Sequence, residues 1–445
     1  MIMKIAFVSL GCDKNLVDSE KMVAELLNSD YEVTDEVQNT EVCVINTCCF
    51  IHDAKEESIN TILELAQLKE TGSLKYLIVC GCLATRYANE ISELIPEVDA
   101  ILSSSASDEL LQTLDRLKAG ELSDKKVTKD VNHTPVFKVE RLHNTLKNFA
   151  YLKIAEGCDK HCTYCVIPSI KGTYRSTPIE EIVEEAKHAV SKGKNELIIV
   201  AQETTLYGID IYGKKSIALL LEKLNEVEGL DWIRLMYCYP EEIDDELIGA
   251  MKKLDKVCKY IDMPIQHISD SVLKRMGRLT TGDDIRNIIN KLRKEIPDIV
   301  IRTSLITGFP GETEEDHKEL LEFLKEYKLE RVGVFTFSKE EGTPAAKLRP
   351  QITKKVKTAR RKELMLAQQQ ITFDANNRMS GRILDAVIEG KLVEDCVYVG
   401  RTYRDAPDVD GQCFIEADRD IVLGEKIKIR IHKASGYDLI ASEVK

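Results

Sequence analysis

The stretch EGCDKHCTYCVIPSIKG, residues 156–172, places Cys158, Cys162 and Cys165 in a Cys-x-x-x-Cys-x-x-Cys pattern. It follows directly on FAYLKI, an apolar run typical of a β-strand. Five further strand-like runs alternate with helical patterns, at residues 196–201, 232–238, 260–265, 300–306 and 332–337. These six β/α units predict an α/β fold with an open or partial parallel barrel. A loop after the first strand then lies at the barrel mouth, where active sites are built.

The three cysteines of this loop are candidate metal ligands. Three thiolates within eight residues can hold three irons of a cuboidal [4Fe-4S] cluster. One iron is then left open to chelate a substrate, as an open position does in other catalytic metal centres. Structural zinc, with His161 as a further ligand, and buried unreactive thiols are the alternatives.

The spacing and context of this triplet resemble the radical-SAM superfamily. The resemblance implies that S-adenosylmethionine chelates the open iron and is cleaved reductively to a deoxyadenosyl radical, which the protein positions and shields. Residues at the strand ends are candidates to hold S-adenosylmethionine, although packing or capping explains each equally well. They are Gln202, Glu203, Gln266, Arg302 and Ser304, of which Arg302 can pair with a carboxylate.

Three more cysteines end successive apolar runs of the first 120 residues, whose βαβ pattern predicts an open parallel sheet. Cys12, Cys48 and Cys82 are expected to meet at one crevice, because neighbouring parallel strands bring their carboxyl ends together. Cys49 lies beside Cys48 and is an alternative ligand. The cysteines expected to be core or surface thiols are Cys43, Cys80, Cys238, Cys258, Cys396 and Cys413.

The predicted domains are 1–120, a linker at 121–143, a barrel at 144–375 and a terminal domain at 376–445. A charged helix, Lys354 to Met379, precedes short strands with turns at Gly390, Gly400, Gly411 and Gly424. That pattern predicts a small antiparallel, OB-like β-barrel.

Taken together, the two cysteine sets resemble the methylthiotransferase family over nearly the whole chain. The matching motifs are GCDKNLVDSE around Cys12, NTCCFI around Cys48 and CGCLATRY around Cys82. The resemblance implies a second [4Fe-4S] cluster on these residues, whose open iron carries the sulfur to be inserted, and a TRAM domain at the end of the chain. One S-adenosylmethionine is expected to methylate that sulfur, and a second to generate the radical that removes the substrate hydrogen.

The family acts on tRNA adenosine or on an aspartate of small-subunit ribosomal protein twelve. The runs SLGCDKNLVDSE, VCKYIDMPIQHISDSVLKRMGR and VYVGRTYRDAPDVDG resemble the ribosomal-protein branch. The terminal domain has ten Lys or Arg against thirteen Asp or Glu after residue 379, which disfavours a tRNA partner. Its acids Asp405, Asp408 and Asp410 could meet a basic ribosomal protein or form a solvated loop.

The net charge of −13 also disfavours a polyanion, although a local basic patch can override that average. With no secretory signal and no apolar run of membrane-spanning length, the sequence predicts a cytoplasmic protein with no membrane contact. An electron donor is implied. A rival of another class is an electron-transfer protein, or an iron–sulfur or zinc protein that binds RNA.

Overall fold

The computed structural model describes residues 3–38, 40–72, 74–143, 148–392 and 396–444. The predicted start of the central domain, residue 144, lies outside these ranges. Two compact units are present: residues 1–144, 155–175 and 338–346 form the first, and residues 145–154, 176–337 and 347–445 form the second. The cysteine-bearing stretch 158–165 therefore belongs to the same unit as the first 120 residues. Within the described residues, no helix is both long and apolar enough to cross a bilayer.

The first unit contains a parallel sheet of six strands in the order β2-β1-β3-β4-β5-β6. Strands β1 to β6 are Met3–Ser9, Tyr31–Thr34, Val42–Thr47, Tyr76–Gly81, Ala100–Ser103 and Lys126–Val127. Helices α1 to α5 are Asp13–Leu27, His52–Glu70, Cys82–Arg86, Ala88–Leu94 and Leu110–Ala119, with a 3-10 turn at Ser104–Glu109.

Both faces of this sheet are buried, which explains its continuous apolar strands. Alternate residues of β3 face opposite sides: Cys43 and Ile45 pack in one apolar cluster, while Val42 and Val44 pack in the other. The prediction that Cys43 and Cys80 are buried small hydrophobes is confirmed, since both are fully buried.

The central region continues with strands and helices in alternation. Strands β7 to β14 are Phe149–Lys153, Ala155–Glu156, Arg175–Ser176, Glu196–Val200, Trp232–Leu235, Val257–Asp262, Val300–Thr307 and Arg331–Thr336. Helices α6 to α14 are Ile167–Lys171, Ile179–Ser191, Ile209–Tyr212, Ile217–Asn225, Asp245–Lys253, Asp270–Arg275, Gly282–Glu295, Glu314–Tyr327 and Lys354–Asn377. Short 3-10 turns lie at Pro240–Glu242 and Pro344–Ala346.

Six of these strands form the parallel sheet β14-β13-β12-β11-β10-β7, as the six-unit pattern predicts. Two of the helices that cover this sheet begin with a capping box. In α12 and α13, the hydroxyls of Thr281 and Thr313 accept from the backbone of Asp284 and Asp316, whose carboxylates accept from the Thr backbone in return. The predicted charged helix is α14, whose observed end lies two residues before the predicted one.

The last strands close a small barrel in the order β15-β16-β17-β19-β18, which confirms the predicted terminal barrel. Strands β15 to β19 are Ile383–Lys391, Val397–Thr402, Cys413–Glu416, Lys426–Ser435 and Asp438–Glu443. Its core includes Cys413, which is fully buried.

Buried ion pairs connect this barrel to the central sheet of the same unit. Glu196, fully buried, accepts from Arg234 at 2.9 Å and from Arg401 at 2.7 Å. Two acids of the 403–410 loop are used in the same way: Asp405 pairs with Arg331 at 2.5 Å, and Asp410 accepts from the hydroxyl of Tyr260 at 2.7 Å. These two acids therefore form contacts within the second unit. The expectation that they meet a partner or form a solvated loop is wrong for them.

Candidate functional site

Cys12, Cys48 and Cys82 lie at the carboxyl ends of three neighbouring strands. Cys12 separates β1 from α1, Cys48 follows β3, and Cys82 is the first residue of α3 after β4. Because β1, β3 and β4 are adjacent and parallel, the three cysteines share one edge of the sheet. The topology is the one the sequence predicts.

The side chain of Asn15, fixed on the first turn of α1, ties the three loops together. Its Nδ2 donates to the carbonyl oxygens of Leu10 at 3.1 Å and Thr47 at 3.0 Å. Its Oδ1 lies 3.8 Å from the Sγ of Cys82. One buried amide thus contacts the chain beside each of the three cysteines, and sequence spacing alone did not identify it.

Gly11 permits a close approach of the first two cysteines. It has a φ of +93°, and a Cβ at this position would lie 2.6 Å from the Cβ of Cys48 and 3.1 Å from its Sγ. Gly81, with a φ of +94°, similarly precedes Cys82 and packs against Asn46. Both positions need glycine because a side chain would displace a cysteine-bearing loop.

The charges of neighbouring cysteines also affect the pKa values of Cys48 and Cys82. Burial raises the pKa of Cys48, and the charge of Cys12 raises it further. Burial raises the pKa of Cys82 well above its usual value, Lys171 opposes that rise, and Cys12, Cys49 and Cys48 add to it. Within the described residues, no three His, Cys, Asp or Glu side chains converge tightly enough for a single metal ion. A [4Fe-4S] cluster makes a different demand, because its thiolates bind separate irons.

Cys49 points into a different environment from Cys48. It is fully buried in the apolar cluster that contains Ile62 and Leu83, and burial raises its pKa to about 12. Cys48 instead contacts the Gly11 turn beside Cys12. Because Cys82 belongs to the same apolar cluster as Cys49, cluster membership does not separate the two neighbours, and Cys48 as the ligand stays a prediction.

The triplet loop is ordered by its own backbone. The amide of Cys158 donates to the carbonyl of Gly172 at 3.1 Å, and that of Cys165 donates to Cys162 at 3.0 Å. The Sγ of Cys165 accepts from the amide of Ile167 at 3.4 Å, and burial raises the pKa of this thiol to about 12. The charges of Cys162 and Cys158 raise it further, so these sulfurs are also neighbours.

The helix that follows the triplet packs into the first domain. Val166 and Ile170 belong to the same apolar cluster as Cys82 and Leu83. The Oγ of Ser104 donates to the carbonyl of Ile170 at 3.3 Å. The two cysteine sets are therefore parts of one packed unit.

Lys171, at the end of this helix, is a buried cation that spacing arguments missed. Its side chain is 5% exposed and lies 3.3 Å from Asp18 and 3.5 Å from Glu156. Despite burial, its pKa is raised well above the usual value by those carboxylates and by Cys82 and Cys12. It places a positive charge beside the first cysteine set.

A cavity of about 470 Å³ opens beside the triplet. His161, Cys162 and Cys165 line one part of it, Arg86 and Tyr87 another, and residues 341–344 the rest. Arg86 is held by Glu340 at 3.3 Å and by the carbonyl of Glu341 at 2.6 Å. This cavity can admit a small molecule or a side chain to the cysteine loop.

The residues expected to hold S-adenosylmethionine all lie in the second unit. Gln202 and Glu203 follow β10, and the buried carboxylate of Glu203 accepts from the amide of Thr205 at 2.8 Å. The amide of Gln266, whose φ is +68°, donates to the carbonyl of Ser304 at 3.0 Å, so these two residues are adjacent.

Arg302 has protein partners. Its Nη1 donates to Asp262 at 2.7 Å, and Asp262 and Asp410 help to raise its pKa. Pairing with a ligand carboxylate would therefore compete with two acids of the chain.

Three known families match this chain. The Radical SAM superfamily matches residues 152–324, the uncharacterized protein family UPF0004 matches residues 4–103, and the TRAM domain matches residues 381–444. A ribosomal protein uS12 methylthiotransferase RimO from Lachnoclostridium phytofermentans is 55% identical over 440 residues, covering 99% of this chain and 100% of the relative. The RimO of Acetivibrio thermocellus is 46% identical, with coverages of 99% and 98%.

The chain belongs to the RimO family of radical-SAM methylthiotransferases. It is thus an enzyme that transfers sulfur-containing groups, and the predicted family is confirmed. Among solved structures, the radical S-adenosylmethionine methyltransferase TsrM of Kitasatospora setae is similar with a TM-score of 0.54 at 14% identity, covering 74% of this chain and 72% of that one. OxsB, a cobalamin-dependent S-adenosylmethionine radical enzyme, has a TM-score of 0.54 at 13% identity, with coverages of 78% and 54%. These two likenesses show the fold.

Family membership implies [4Fe-4S] chemistry and S-adenosylmethionine, and the residues present fit those groups. Both candidate sets are purely thiolate, which suits iron–sulfur ligation. Each lies in a partly shielded place beside hydrogen-bond donors of the backbone or a buried cation, features that tune cluster ligation.

Proposed function

We propose that this chain methylthiolates the β-carbon of an aspartate in ribosomal protein uS12. The observation that carries the proposal is the 46–55% identity to RimO relatives over 97–100% of their length. The β-carbon of an aspartate has no hydrogen that a side-chain base could easily remove, so homolytic chemistry is required. That chemistry is what radical-SAM family membership supplies.

We assign one [4Fe-4S] cluster to Cys158, Cys162 and Cys165 and a second to Cys12, Cys48 and Cys82. Each set leaves one iron without a protein thiolate. When bound, these groups with S-adenosylmethionine supply hydrogen-atom abstraction and sulfur delivery. Ile170, which follows the triplet, and Cys82 belong to one apolar cluster, which supports the idea that the two sites act on the same substrate carbon.

The chain's own residues bind and shield these groups. Asn15 and Gly11 hold the first three cysteines in register, and Lys171 offsets the negative charge of their thiolates. The cavity beside Cys162 and Cys165 is the proposed entrance for the substrate side chain. Gln202, Glu203, Gln266, Arg302 and Ser304 remain the proposed S-adenosylmethionine contacts.

The remaining assignments follow from this function. The predicted boundaries, 1–120, 121–143, 144–375 and 376–445, are kept as the proposed domains. An electron donor must supply the reducing electron, and the enzyme acts in the cytoplasm, where its ribosomal substrate is made.

The test is mass spectrometry of uS12 and of total tRNA from a strain lacking this chain. Complementation with the wild type and with Cys396→Ala, an exposed cysteine of the last barrel, is expected to restore methylthio-aspartate in uS12. Complementation with Cys158→Ala is expected to leave uS12 unmodified. Loss of methylthio-adenosine from tRNA with an unchanged uS12 would instead make the chain a tRNA methylthiotransferase.

A further inference from the structure

One surface of the second unit has a charge opposite to that of the protein as a whole. The stretch KLRPQITKKVKTARRK, residues 347–362, contains eight Lys or Arg and no Asp or Glu, in a chain of net charge −13. Six of the eight are exposed: Lys347, Arg349, Lys354, Lys355, Arg361 and Lys362. We call these six residues the basic rim.

The stability of α14 does not account for these charges. Lys354 and Lys355 are its first two residues, and its first turn has no acidic residue. Cations at a helix N-terminus oppose the helix dipole, and acids there favour it. Helix α13 of the same unit follows the favourable pattern, with Glu314, Glu315 and Asp316 in its first turn.

Within the described residues, Lys354, Lys355 and Lys362 make no ion pair. Lys357 and Arg361, four residues apart on one helix face, are like charges that repel each other. A surface that gathers cations in this way is stabilised when it meets an anionic partner.

Two other cations of the stretch show where the basic rim lies. The Nη1 of Arg360, which is buried, donates to Glu312 at 2.8 Å, and the Nζ of Lys357 donates to the carbonyl of Phe337 at 2.8 Å. Glu312 follows β13 and Phe337 follows β14, so both mark the carboxyl end of the central sheet. The carbonyl of Pro350 also accepts from the amide of Gly311 at 2.9 Å, just beyond β13.

Four residues of the basic rim, Lys347, Arg349, Lys354 and Lys355, therefore border the carboxyl end of the strands, the end at which this architecture builds its active sites. Arg361 and Lys362 lie further along α14, where the Nε of Arg361 donates to the carbonyl of Val334 at 2.9 Å. In this architecture a substrate approaches from that end of the strands. A basic ribosomal protein would be repelled there, whereas a phosphate backbone would be attracted.

We propose that the basic rim binds ribosomal RNA phosphates, so that the enzyme recognises uS12 within an RNA-containing particle. This inference rests on the proposed function. Phosphate contacts position a protein on RNA and make the affinity strongly dependent on salt.

The experiment uses the full reconstituted enzyme and a variant with Lys354→Glu, Lys355→Glu and Lys362→Glu. Binding to purified small ribosomal subunits lacking the modification is measured as a function of KCl concentration, and methylthiolation of free uS12 is measured in parallel. We expect the variant to bind subunits at least about tenfold more weakly, and the slope of log affinity against log salt to fall by about 2 to 3. The rate on free uS12 should be unchanged.

A matched control carries Lys192→Glu, Lys253→Glu and Lys294→Glu. These lysines are also exposed, but they lie just before β10, β12 and β13, at the opposite end of the strands. The control should bind subunits as the wild type does. Thermal unfolding monitors the fold of both, and Glu in the first turn of α14 favours that helix.

An unchanged affinity and salt slope in the rim variant would overturn the inference, and so would an equal loss of binding in the control. An equal loss of rate on free uS12 would also overturn it, because the rim would then not act through RNA. A wild type that modifies neither free uS12 nor subunits would contradict the proposed function instead, while the binding curves would still decide the RNA contact.

Discussion

The Nζ atom of Lys171 lies 3.3 Å from the Oδ2 atom of Asp18. Asp18 is on the helix that begins directly after Cys12, and Lys171 ends the helix that follows Cys165. The pair is buried, and it connects the helix that follows Cys12 to the helix that follows Cys165. Removing one partner of such a pair leaves an uncompensated buried charge.

Lys171→Met keeps the apolar stem but removes the ammonium. The substitution leaves the carboxylates of Asp18 and Glu156 without their buried cation, so the free energy of unfolding is expected to fall by about 3 kcal/mol. Lys187→Met is the control, because Lys187 pairs with Glu184 at 2.7 Å while 56% exposed, and this change should cost less than about 1 kcal/mol. Urea denaturation of both variants makes the comparison. Equal small losses would show that the Lys171 pair does not stabilise the first unit.

Gly11→Ala is expected to disrupt the first cysteine set. The added methyl group would overlap Cys48, and a positive φ costs about 1–2 kcal/mol for a residue with a side chain. Gly72→Ala has the same backbone penalty at a φ of +77°, but its Cβ would meet nothing within 4 Å. Reconstituted Gly11→Ala should therefore lose about four irons relative to Gly72→Ala. Equal iron contents in the two variants would show that Cys48 tolerates displacement.

His267 is expected to make the second unit sensitive to acid. It is fully buried, and burial lowers its pKa to about 3, while the unfolded chain takes up this proton near pH 6.5. Because the unfolded state binds the proton first, the stability from this group is complete above pH 6.5 and is lost as pH falls toward 3.

The change that tests this is His267→Asn, which keeps an acceptor for the amide of Ser269. Between pH 6.5 and 5, the wild type should lose about 2 kcal/mol more stability than the variant. Denaturant titrations at several pH values measure the difference. Parallel curves for the two proteins would contradict it.

Much of the fold could be predicted because its signals are local. Alternation of apolar runs with helical patterns predicts two parallel sheets, and turn glycines predict the final barrel. The meeting of Cys12, Cys48 and Cys82 also follows, since adjacent parallel strands end at one edge.

The supports of the site could not be predicted in this way, because they depend on contacts between distant parts of the chain. In the sequence, Asn15 is an ordinary residue of a predicted helix. Only the structure shows that its side-chain amide donates to the carbonyls of Leu10 and Thr47. Lys171 lies only six positions after Cys165, yet nothing in its spacing shows that Asp18 will bury it. In the sequence, Asp405 and Asp410 are typical of a surface loop. Only the folded chain shows that Asp405 pairs with Arg331 and that Asp410 accepts from Tyr260.

The most direct test of the account is the iron and acid-labile sulfide content of anaerobically reconstituted wild type, Cys48→Ala and Cys158→Ala, each prepared separately with Cys49→Ala as the control. Two independent clusters predict about eight irons per chain in the wild type and in Cys49→Ala, and about four in each of the other two variants. A wild type with only four irons, or a Cys48→Ala variant that keeps all of its iron, would contradict the two-cluster assignment.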